Sequence, residues 1–476
     1  MEHLQGREEE IALLEASVRA PGSSFIAIYG RRRVGKTFLI DNVLKQKLDF
    51  RITGIQGVGT REQLINFSNK ISTHFKVVES DSAPGNWQDA FEQLKKLLAR
   101  KKGKKKKIIF FDELPWLATP KSNFLTMLAH FWNDWAVRNN VMLIVCGSAA
   151  TWMIQKVVHN KGGLHNRITC RIHLKPFNLK ETKAYFKSRR ILFDHYQIVQ
   201  IYMMLGGIPL YLNEVKKGES VAQNIDRICF AKQGFLRDEF DKLYRSLYDN
   251  PGNHFAVIHA LSSKWKGLTR REIVKHTGLV DGGRITRVLD ELEQSDFIST
   301  NLPLLNKKKD TLYRLTDAYS LFYLKFISGN KRSGKGTFSS ISQSSIFKSW
   351  SGYAFENVCF LHQHEIKKSM GIAGVYTTFS SYIFKGSEDY PGIQIDMVID
   401  RADGIINVCE MKFHNARFTI TSDYAKKLRQ KLATFKEISK VKKSLFLTII
   451  SSFGINENKH SLDLVQNNIT IDSLFE

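Results

Sequence analysis

The chain has 476 residues, of which 43% are hydrophobic and 25% are charged. This composition can form packed cores and excludes wholesale disorder, and the length favours about three or four domains. The formal net charge is +25, from 71 Lys and Arg against 46 Asp and Glu. Such a surplus favours a polyanionic partner, with nucleic acid as the first candidate; a soluble protein with a generally positive surface is the alternative.

The five cysteines lie far apart in the sequence and form no CxxC pair, which argues against a zinc site and against a disulfide framework. The first ten residues are acidic and lack the apolar stretch of a signal peptide. No apolar run approaches the roughly 20 residues of a membrane helix. The sequence therefore predicts a cytoplasmic protein with no membrane partner.

Residues 1–175 alternate short apolar runs with helical patterns. Continuous apolar runs occupy Ser24–Tyr29, residues 108–111 and residues 141–145, so each of these strands is expected to be buried on both faces. Strands of this kind, separated by helices, predict a parallel sheet covered by helices. The first domain is therefore expected to be an α/β core.

The segment after the first strand matches the pattern G-x-x-x-x-G-K-[ST], with Gly30, Arg31, Arg32, Arg33, Val34, Gly35, Lys36 and Thr37. In such a loop the backbone N–H groups surround phosphates, and the following helix points its positive end at them. Lys36 can reach the β- and γ-phosphates, and the Thr37 hydroxyl can bind Mg²⁺. The order strand, loop, helix makes a chance glycine-rich turn the weaker alternative. The sequence predicts binding of ATP and Mg²⁺.

Polar residues follow the other two apolar runs. Asp112 and Glu113 end the run 108–111; Asp112 is expected to hold Mg²⁺ through water, and Glu113 to orient or deprotonate the attacking water. The alternative for this pair is an acidic helix start. Ser148 follows the run 141–145 and could contact the γ-phosphate or the attacking water, or belong to an ordinary turn. Together these residues predict hydrolysis of ATP.

Residues 176–245 show only helical patterns, and residues 246–330 show three short helices followed by a hairpin, the outline of a winged helix. Thr269 and Glu272 predict a capping box at the start of the second helix. The cations Arg284 and Arg287 on the third helix, and Lys307, Lys308 and Lys309 in the wing, would suit DNA contact. A protein-docking or lid module is the alternative. Residues 331–345 are rich in glycine and cations at their start and predict a linker.

Residues 346–476 are expected to begin with a helix, continue with strands near 375–385, 393–400 and 404–412, and return to helix at 422–440. Asp396 and Glu410 would lie on neighbouring strands of a hairpin, with Lys412 on the same face as Glu410. Glu356 on the preceding helix could add a third carboxylate. Such a group can hold Mg²⁺ and stabilise a phosphate under attack, although a solvated strand face is the alternative.

The segments 6–8 (Gly-Arg-Glu), 30–37, 110–116 and 146–149 resemble prokaryotic, archaeal-type and STAND-related ATPases of the AAA superfamily, and this resemblance covers residues 1–330. It implies that Gly6 and Arg7 lie near the adenine and that Pro209, in a lid motif, helps to form the nucleotide pocket. It also implies an arginine finger at Arg167, acting in cis or in trans, although Asn166 stands where the family has glycine. A structural cation is the alternative for Arg167, and a homo-oligomer such as a ring is one candidate assembly.

The C-terminal pattern of a helix Glu, an Asp, a spacer and Glu-x-Lys resembles the PD-(D/E)XK nuclease core. The resemblance implies metal binding by Glu356, Asp396 and Glu410 and catalysis by Lys412; inactive copies of this fold exist. The domains expected are a P-loop core at 1–175, a helical lid at 176–245, a winged helix at 246–330, a linker at 331–345 and a nuclease-like α/β domain at 346–476. The function expected is a Mg²⁺-dependent ATPase that acts on DNA, with a nuclease activity at its C-terminal site. The alternative is a STAND-like ATP switch with an inert C-terminal docking module.

Overall fold

The computed structural model describes residues 4–77, 83–101, 105–248, 250–330 and 334–476. The chain divides into two compact units, Met1–Lys175 with Gln294–Asp296, and Pro176–Glu293 with Phe297–Glu476. The first unit runs to Lys175 but also includes Gln294–Asp296 from the expected winged helix, so the predicted boundary at 175/176 stays a prediction. The further boundaries at 245/246 and 330/331 remain predictions, because the second unit contains the three segments that they would separate.

A five-stranded parallel sheet forms the centre of the first unit, which confirms the expected parallel core. Its strands are β1 (Ser24–Tyr29), β2 (Leu48–Thr53), β3 (Lys107–Asp112), β4 (Val141–Gly147) and β5 (Cys170–His173), in the order β2-β3-β4-β1-β5. The pattern missed β2, whose apolar residues alternate with polar ones, and β5, which has only four residues at the sheet edge. Neither has the continuous apolar run that marks a buried central strand.

Helices flank this sheet: α1 (Glu8–Arg19), α2 (Lys36–Leu44), α3 (Thr60–Phe75), α4 (Trp87–Ala99), α5 (Leu114–Leu117), α6 (Phe124–His130) and α7 (Ala150–Met153), with short 3₁₀ or π-helical segments at Lys45–Lys47, Phe131–Trp135, Ala136–Arg138 and Ile154–Val158. Helix α4 begins where the Asn86 side chain accepts a hydrogen bond from the Asp89 N–H (3.0 Å). Its apolar residues recur on one face, and Trp87 contacts the rings of Phe67 and Phe124 at centroid distances of 5.7 and 4.7 Å. Burial of this face against the sheet fixes α4 in place.

The register of the sheet sets where the site lies. Tyr29 pairs with Gly147, and Phe111 pairs with Val145. Since β1, β3 and β4 are parallel neighbours, the segments that follow them emerge at the same edge of the sheet. The three polar segments that the sequence singled out are therefore brought together.

The second unit begins with helices, as expected: α8 (Leu179–Ser188), α9 (His195–Leu205), α10 (Pro209–Leu212), α11 (Val221–Ile225) and α12 (Glu239–Leu247), with a π-helical segment at Asp226–Phe230. Gly207, which lies between α9 and α10, allows a close approach to the backbone of Phe177. The Phe177 N–H donates to its carbonyl oxygen (2.7 Å), and a Cβ at this position would lie 1.8 Å from the Phe177 carbonyl oxygen. A side chain there is sterically excluded.

The next segment has the expected order of three helices and a hairpin: α13 (Gly252–Ser262), β6 (Leu268–Thr269), α14 (Arg270–Thr277), α15 (Gly283–Gln294), β7 (Ile298–Asn301), a 3₁₀ turn at Lys308–Asp310, and β8 (Leu312–Leu315). The strands form an antiparallel sheet in the order β6-β8-β7. The predicted capping box is present: the Thr269 hydroxyl accepts from the Glu272 N–H, and the Glu272 carboxylate accepts from the Thr269 N–H (2.8 Å). Whether this segment works as a winged helix remains a proposal.

The expected linker at 331–345 needs a correction. Residues 331–333 lie outside the described residues, but residues 337–343 form a helix, α17 (Thr337–Gln343). The Asp226 carboxylate accepts hydrogen bonds from the Gly336 N–H (2.8 Å) and the Phe338 N–H (2.6 Å), and the buried Phe338 ring contacts Phe322. A distant acid thus supplies the cap that the segment lacks in its own sequence.

The remaining helices are α16 (Ala318–Phe322), α18 (Ser345–Leu361), α19 (Gln363–Ser369), α20 (Ser422–Ser439) and α21 (Lys459–Leu464), with a π-helical segment at Tyr323–Ile327 and a 3₁₀ segment at Ile471–Phe475. A five-stranded sheet contains β9 (Thr377–Phe384), β10 (Ile393–Arg401), β11 (Ile405–Lys412), β12 (Ser444–Ser451) and β13 (Val465–Thr470), in the order β13-β12-β11-β10-β9. The pairs among β9, β10 and β11 are antiparallel, and those among β11, β12 and β13 are parallel. Three strands and α20 lie where the sequence predicts them, whereas β12 and β13 were not expected.

None of the helices in the described ranges combines the length and the apolar character that a bilayer-spanning helix needs.

Candidate functional site

The loop between β1 and α2 has the backbone that a phosphate-binding loop requires. Gly30 has φ 147°, and a Cβ on it would lie 2.3 Å from the Leu174 carbonyl oxygen. Gly35 (φ 90°) stands at the start of α2, and Arg33 is left-handed (φ 75°). Glycine is needed at both ends because other residues would meet a clash or backbone strain. The chain therefore turns tightly and enters α2 with its N–H groups facing the loop.

Lys36 is buried at the first position of α2. Its Nζ donates to the carbonyl oxygens of Gly30 (2.8 Å) and Arg31 (2.9 Å), so the ammonium lies inside its own loop. Burial lowers the Lys36 pKa, while the nearby Cys146, Glu113 and Asp112 act in the opposite direction. A cation enclosed by a ring of backbone groups can pair with phosphate oxygens.

Thr37 and Asp112 meet beside this lysine. The Thr37 hydroxyl donates to Asp112 Oδ2 (2.9 Å), and burial raises the Asp112 pKa while this hydrogen bond lowers it. Hydroxyl and carboxylate oxygens are the ligands that Mg²⁺ prefers, and here two of them are adjacent at the phosphate loop. The residues thus fit a magnesium ion bound together with a nucleotide.

Glu113 and Ser148 form the other half of the site. Glu113 Oε2 accepts from the Ser148 hydroxyl (2.9 Å) and from the Ser148 N–H (3.1 Å). Glu113 precedes α5 with φ 46°, and its side chain makes no capping hydrogen bond to that helix. The carboxylate is therefore turned toward the end of β4 and not onto the N–H groups of α5, although Glu113 itself stands at the start of that helix.

Several expected nucleotide-site residues lie around this loop. Arg7 follows the buried Gly6, and its Nη2 donates to the carbonyl oxygens of Val34 (3.3 Å) and Lys175 (2.6 Å). The Arg32 guanidinium lies 5.3 Å from the Trp116 ring centroid. These contacts tie the N-terminal segment to the phosphate loop.

Two expected residues are not brought to this site within the first unit. Arg167 is exposed in the turn before β5, where a cation is accessible from solvent. Pro209 is the first residue of α10 and belongs to the second unit. Their roles in nucleotide binding remain predictions.

Comparison with known proteins agrees with this geometry. Residues 4–215 match a family model described as an ATPase domain predominantly from Archaea. The chain contains an ATPase domain of archaeal type. This ATPase domain covers the whole phosphate-loop site and extends past Pro209.

Two proteins of Methanocaldococcus jannaschii are similar to the chain. One, an uncharacterised protein, is 25% identical over 387 residues, which is 80% of this chain and 82% of that protein. The other, an uncharacterised ATP-binding protein, is 23% identical over 306 residues, 55% of this chain and 83% of that protein. Among solved structures, the Walker-type ATPase PABY2304 of Pyrococcus abyssi matches with a TM-score of 0.50 and 19% identity, over 67% of this chain and 96% of that one. This last likeness shows the fold alone, over about two thirds of this chain.

Outside the ATPase domain, the hairpin of β10 and β11 carries the predicted carboxylates. Met397 pairs with Cys409, so Asp396 and Glu410 are the next residues on the two strands. Asp396 Oδ2 accepts from the Met411 N–H (3.2 Å). Burial and the charge of Glu410 raise the Asp396 pKa to about 6.

Glu410 is surrounded by cationic and hydroxyl donors. Lys412 Nζ lies 2.7 Å from Oε1, the Tyr424 hydroxyl 2.6 Å from Oε1, and Lys431 Nζ 2.6 Å from Oε2. Burial alone would raise the Glu410 pKa, but Lys412 and Lys431 outweigh it and lower that pKa to about 2. In return, Glu410 raises the Lys412 pKa against the effect of burial. The predicted proximity of Glu410 and Lys412 is present, as an ion pair between a buried carboxylate and a half-buried ammonium.

Glu356, on α18, forms an ion pair with a different cation, Arg314. Arg314 Nη2 of β8 lies 3.4 Å from Glu356 Oε2 and 3.1 Å from Asn357 Oδ1. Burial and the charge of Asp396 raise the Glu356 pKa to about 8, although Arg314 acts in the opposite direction.

The metal set implied by the nuclease resemblance does not fit this arrangement. Within the described ranges, no three side chains of His, Cys, Asp or Glu lie close enough together to hold one metal ion. Glu356 and Glu410 are instead engaged by Arg314 and by two lysines, which compensate their charges.

The cations predicted to contact DNA are all exposed. Arg284 and Arg287 lie on α15, and Lys307, Lys308 and Lys309 lie between β7 and β8. Arg287 Nε donates to Glu291 Oε1 (2.8 Å), one turn further along the helix. The predicted surface positions are thus correct, and DNA contact remains a proposal.

Three residues of the C-terminal cluster were missed from the sequence: Arg314, Tyr424 and Lys431. Tyr424 and Lys431 are seven residues apart on α20, the spacing of one helix face, and they flank the buried Leu428. That periodicity could have indicated them once a buried partner was expected. Arg314 had no such signal, because a cation in a short strand usually faces water.

Proposed function

We propose that this chain is a Mg²⁺-dependent ATPase that couples ATP binding and hydrolysis to a conformational change, and that it acts on DNA. The observation that carries the ATPase proposal is the meeting of Lys36, the Thr37–Asp112 pair and the Glu113–Ser148 pair at one edge of a parallel sheet. Lys36 would pair with the β- and γ-phosphate oxygens, and Thr37 and Asp112 would hold the magnesium ion. Bound there, Mg²⁺ supplies charge neutralisation for the phosphates.

Glu113 is the group that we propose to act on water. Its carboxylate accepts two hydrogen bonds from Ser148, which hold it at the strand ends where the γ-phosphate would lie. An oriented carboxylate can position a water molecule and accept its proton as the water attacks phosphorus. Ser148 is then a positioning residue for Glu113.

The test compares ATP hydrolysis by the intact wild type, Lys36→Ala and Glu113→Gln, with Lys45→Ala and Glu9→Gln as controls at exposed positions. Lys36→Ala should weaken nucleotide binding, because it removes the enclosed cation. Glu113→Gln should still bind ATP but lose turnover by a factor on the order of 10² or more. If Glu113→Gln hydrolyses ATP at the wild-type rate, the role of Glu113 is wrong.

Action on DNA is supported by the net charge of +25 and by the exposed cations of α15 and of the segment between β7 and β8. We propose that this segment, α13 to β8, is a winged helix whose third helix and wing contact the DNA backbone. Lysine and arginine on such elements suit phosphate contacts, which position a protein on DNA without reading its sequence.

For the C-terminal domain we propose a nuclease-like fold. In support, Asp396, Glu410 and Lys412 lie on one hairpin of a five-stranded mixed sheet, beside a helix that carries Glu356. Cleavage of DNA there would require the carboxylates to be released from their present cationic partners. The nuclease activity is therefore the part of the proposal that most needs a direct assay.

A specific observation favours the second candidate, an ATP switch with an inert C-terminal docking module. Glu410 already has three donors, and Glu356 has an arginine. Under this alternative the C-terminal cluster only stabilises the fold. The two candidates differ in whether DNA changes the rate of ATP hydrolysis and in whether DNA is cut.

A further inference from the structure

Both oxygens of the Glu410 carboxylate are occupied by side chains of the same chain. Oε1 has Lys412 Nζ at 2.7 Å and the Tyr424 hydroxyl at 2.6 Å, and Oε2 has Lys431 Nζ at 2.6 Å. Glu410 is 6% exposed. Its charge is thus compensated inside the protein by Lys412 of its own strand and by Tyr424 and Lys431 of α20.

Lys431 differs from Lys412 in its position. Lys412 lies on β11, the strand of Glu410 itself, whereas Lys431 reaches the carboxylate from α20. Its side chain is 21% exposed, and the four-carbon stem of lysine has several rotatable bonds. Lys431 can therefore leave Glu410 without any movement of the sheet.

A cavity of about 380 Å³ opens beside this pair, and its lining includes Asp396, Glu410, Lys427 and Lys431. The two acids on neighbouring strands are the oxygen donors that a divalent cation would use. In the structure the cation that faces Glu410 Oε2 from the cavity side is the Lys431 ammonium.

Cations already balance the acids of the Asp396–Glu410 pair. Lys412 and Lys431 lie on Glu410, and Asp396 is the neighbouring acid, so these two lysines balance the charges of the two carboxylates, while Arg314 lies on Glu356. A divalent ion added to this group would leave a buried excess of positive charge, which is strongly unfavourable. It would also compete with Lys431 for Glu410 Oε2.

We infer that Lys431 is a built-in cation that occupies the Asp396–Glu410 pair in place of a metal ion and keeps the C-terminal cavity closed to divalent cations. When the Lys431–Glu410 ion pair opens, the two carboxylates become a divalent-cation site. This inference rests on the proposed assignment of the β10–β11 hairpin as the C-terminal functional site. It makes α20 the element that decides whether that site can take a metal.

The experiment counts Mn²⁺ ions bound to the full-length, nucleotide-free protein, by electron paramagnetic resonance of free Mn²⁺ and by calorimetry. Lys431→Met should gain one Mn²⁺ site per chain at the Asp396–Glu410 pair. Mn²⁺ should bind there at least about tenfold more tightly than to the same pair in the wild type. Asp396→Asn in the Lys431→Met background should abolish the gain. Any Mn²⁺ bound at Thr37 and Asp112 is common to all variants and cancels in the comparison.

The matched control is Lys427→Met, which removes a cation of the same cavity, one turn earlier on α20. It should bind Mn²⁺ like the wild type, because the hydrogen bonds that hold Glu410 come from Lys412, Tyr424 and Lys431. Lys431→Gln serves as a second variant if Lys431→Met unfolds, with circular dichroism as the check. An equal gain in Lys427→Met would overturn the inference, since general electrostatics would then explain it.

Two further results would also overturn it. One is a wild type that already binds Mn²⁺ at a site lost in Asp396→Asn; the other is no gain in either folded Lys431 variant. Failure of the proposed function has a different signature. A Lys431→Met protein that binds Mn²⁺ but does not cut plasmid supports the inference and contradicts the nuclease activity.

Discussion

Neighbouring carboxylates of the C-terminal cluster differ in protonation because their partners differ. The pKa of Glu410 is lowered to about 2 by two lysines that outweigh its burial, whereas the pKa of Glu356 is raised to about 8 by burial and by Asp396. Arg314 opposes the shift of Glu356 but does not cancel it. A single residue's chemistry here is thus set by which cation the fold places next to it.

Glu356→Gln should remove a pH dependence of the free energy of unfolding. The folded pKa of about 8 lies above the ordinary value of 4.5, so the folded state holds a proton that the unfolded state releases between about pH 4.5 and 8. The wild type's free energy of unfolding therefore falls as pH rises through this window. Glu356→Gln lacks this loss, and its stability relative to wild type should rise from pH 5 to pH 8 by on the order of 1 kcal/mol or more.

The measurement is urea unfolding at both pH values. Glu437→Gln, at an exposed position of α20, is the control and should show no such change relative to wild type. A pH-independent difference between Glu356→Gln and wild type would mean that Glu356 is ionised in the folded protein across this range.

At the scale of elements, helix α17 shows how a cap can come from elsewhere in the chain. Four helices are each capped by the residue directly before them. These residues are Asn178 for α8, Asp194 for α9, Ser220 for α11 and Thr269 for α14. Helix α17 begins after Gly336, which has no side chain, and its N–H groups are capped by Asp226, more than a hundred residues earlier. Because this cap is distant in the sequence, the glycines and cations of the segment predicted a linker, whereas the structure has a helix there.

Asp226→Ala should release α17. Its removal leaves the Gly336 and Phe338 N–H groups without their acceptor, at a cost of about 1–3 kcal/mol. Trypsin should then cut after Lys335 several times faster than in the wild type, which mass spectrometry of the fragments can follow. Asp290→Ala, at an exposed position of α15, is the control; equal cleavage of the wild type and Asp226→Ala would show that the cap does not hold the segment.

At the scale of the whole molecule, the two activities proposed reside in different units. The phosphate-loop site is built within residues up to Lys175, whereas the candidate DNA-contacting segment and the C-terminal cluster belong to the second unit. A coupling between ATP and DNA must therefore pass from one unit to the other. Only the intact chain can test it.

DNA should stimulate ATP hydrolysis by the full-length protein. Replacing Lys307, Lys308 and Lys309 together by Ala should weaken DNA binding and reduce the slope of log affinity against log salt by about 2 to 3, since each lost phosphate contact contributes about 0.9. The control replaces the exposed Lys156 and Lys161 of the first unit by Ala. A rate indifferent to DNA, with no salt-dependent binding, would favour the ATP switch.

The same reactions, with plasmid and Mg²⁺ or Mn²⁺, report on cleavage. If the C-terminal site cuts DNA, products should depend on the metal and disappear in Asp396→Ala and Lys412→Ala while ATP hydrolysis continues. No metal-dependent cleavage in any nucleotide state would contradict the nuclease proposal and leave the ATPase proposal intact.

The position of the nucleotide site could be predicted from the amino-acid sequence alone. Gly30 to Thr37 is one contiguous segment, and Asp112 and Glu113 directly end a continuous apolar run, so local order was enough to predict where these residues lie. The parallel sheet followed from strands that are apolar on both faces. The strands β12 and β13 were not predicted. In the structure, β12 pairs with β11 along its full length.

The contacts between side chains that are far apart in the sequence could be identified only from the folded structure. Ser148 on Glu113, Arg314 on Glu356 and Lys431 on Glu410 are separated by 35, 42 and 21 residues respectively. No local sequence pattern predicts such pairs, because the sequence around a charged residue does not show whether its side chain faces water or a buried acid. The C-terminal carboxylates were therefore predictable as a group, whereas the cations that occupy them, and so the state of that site, follow from packing alone.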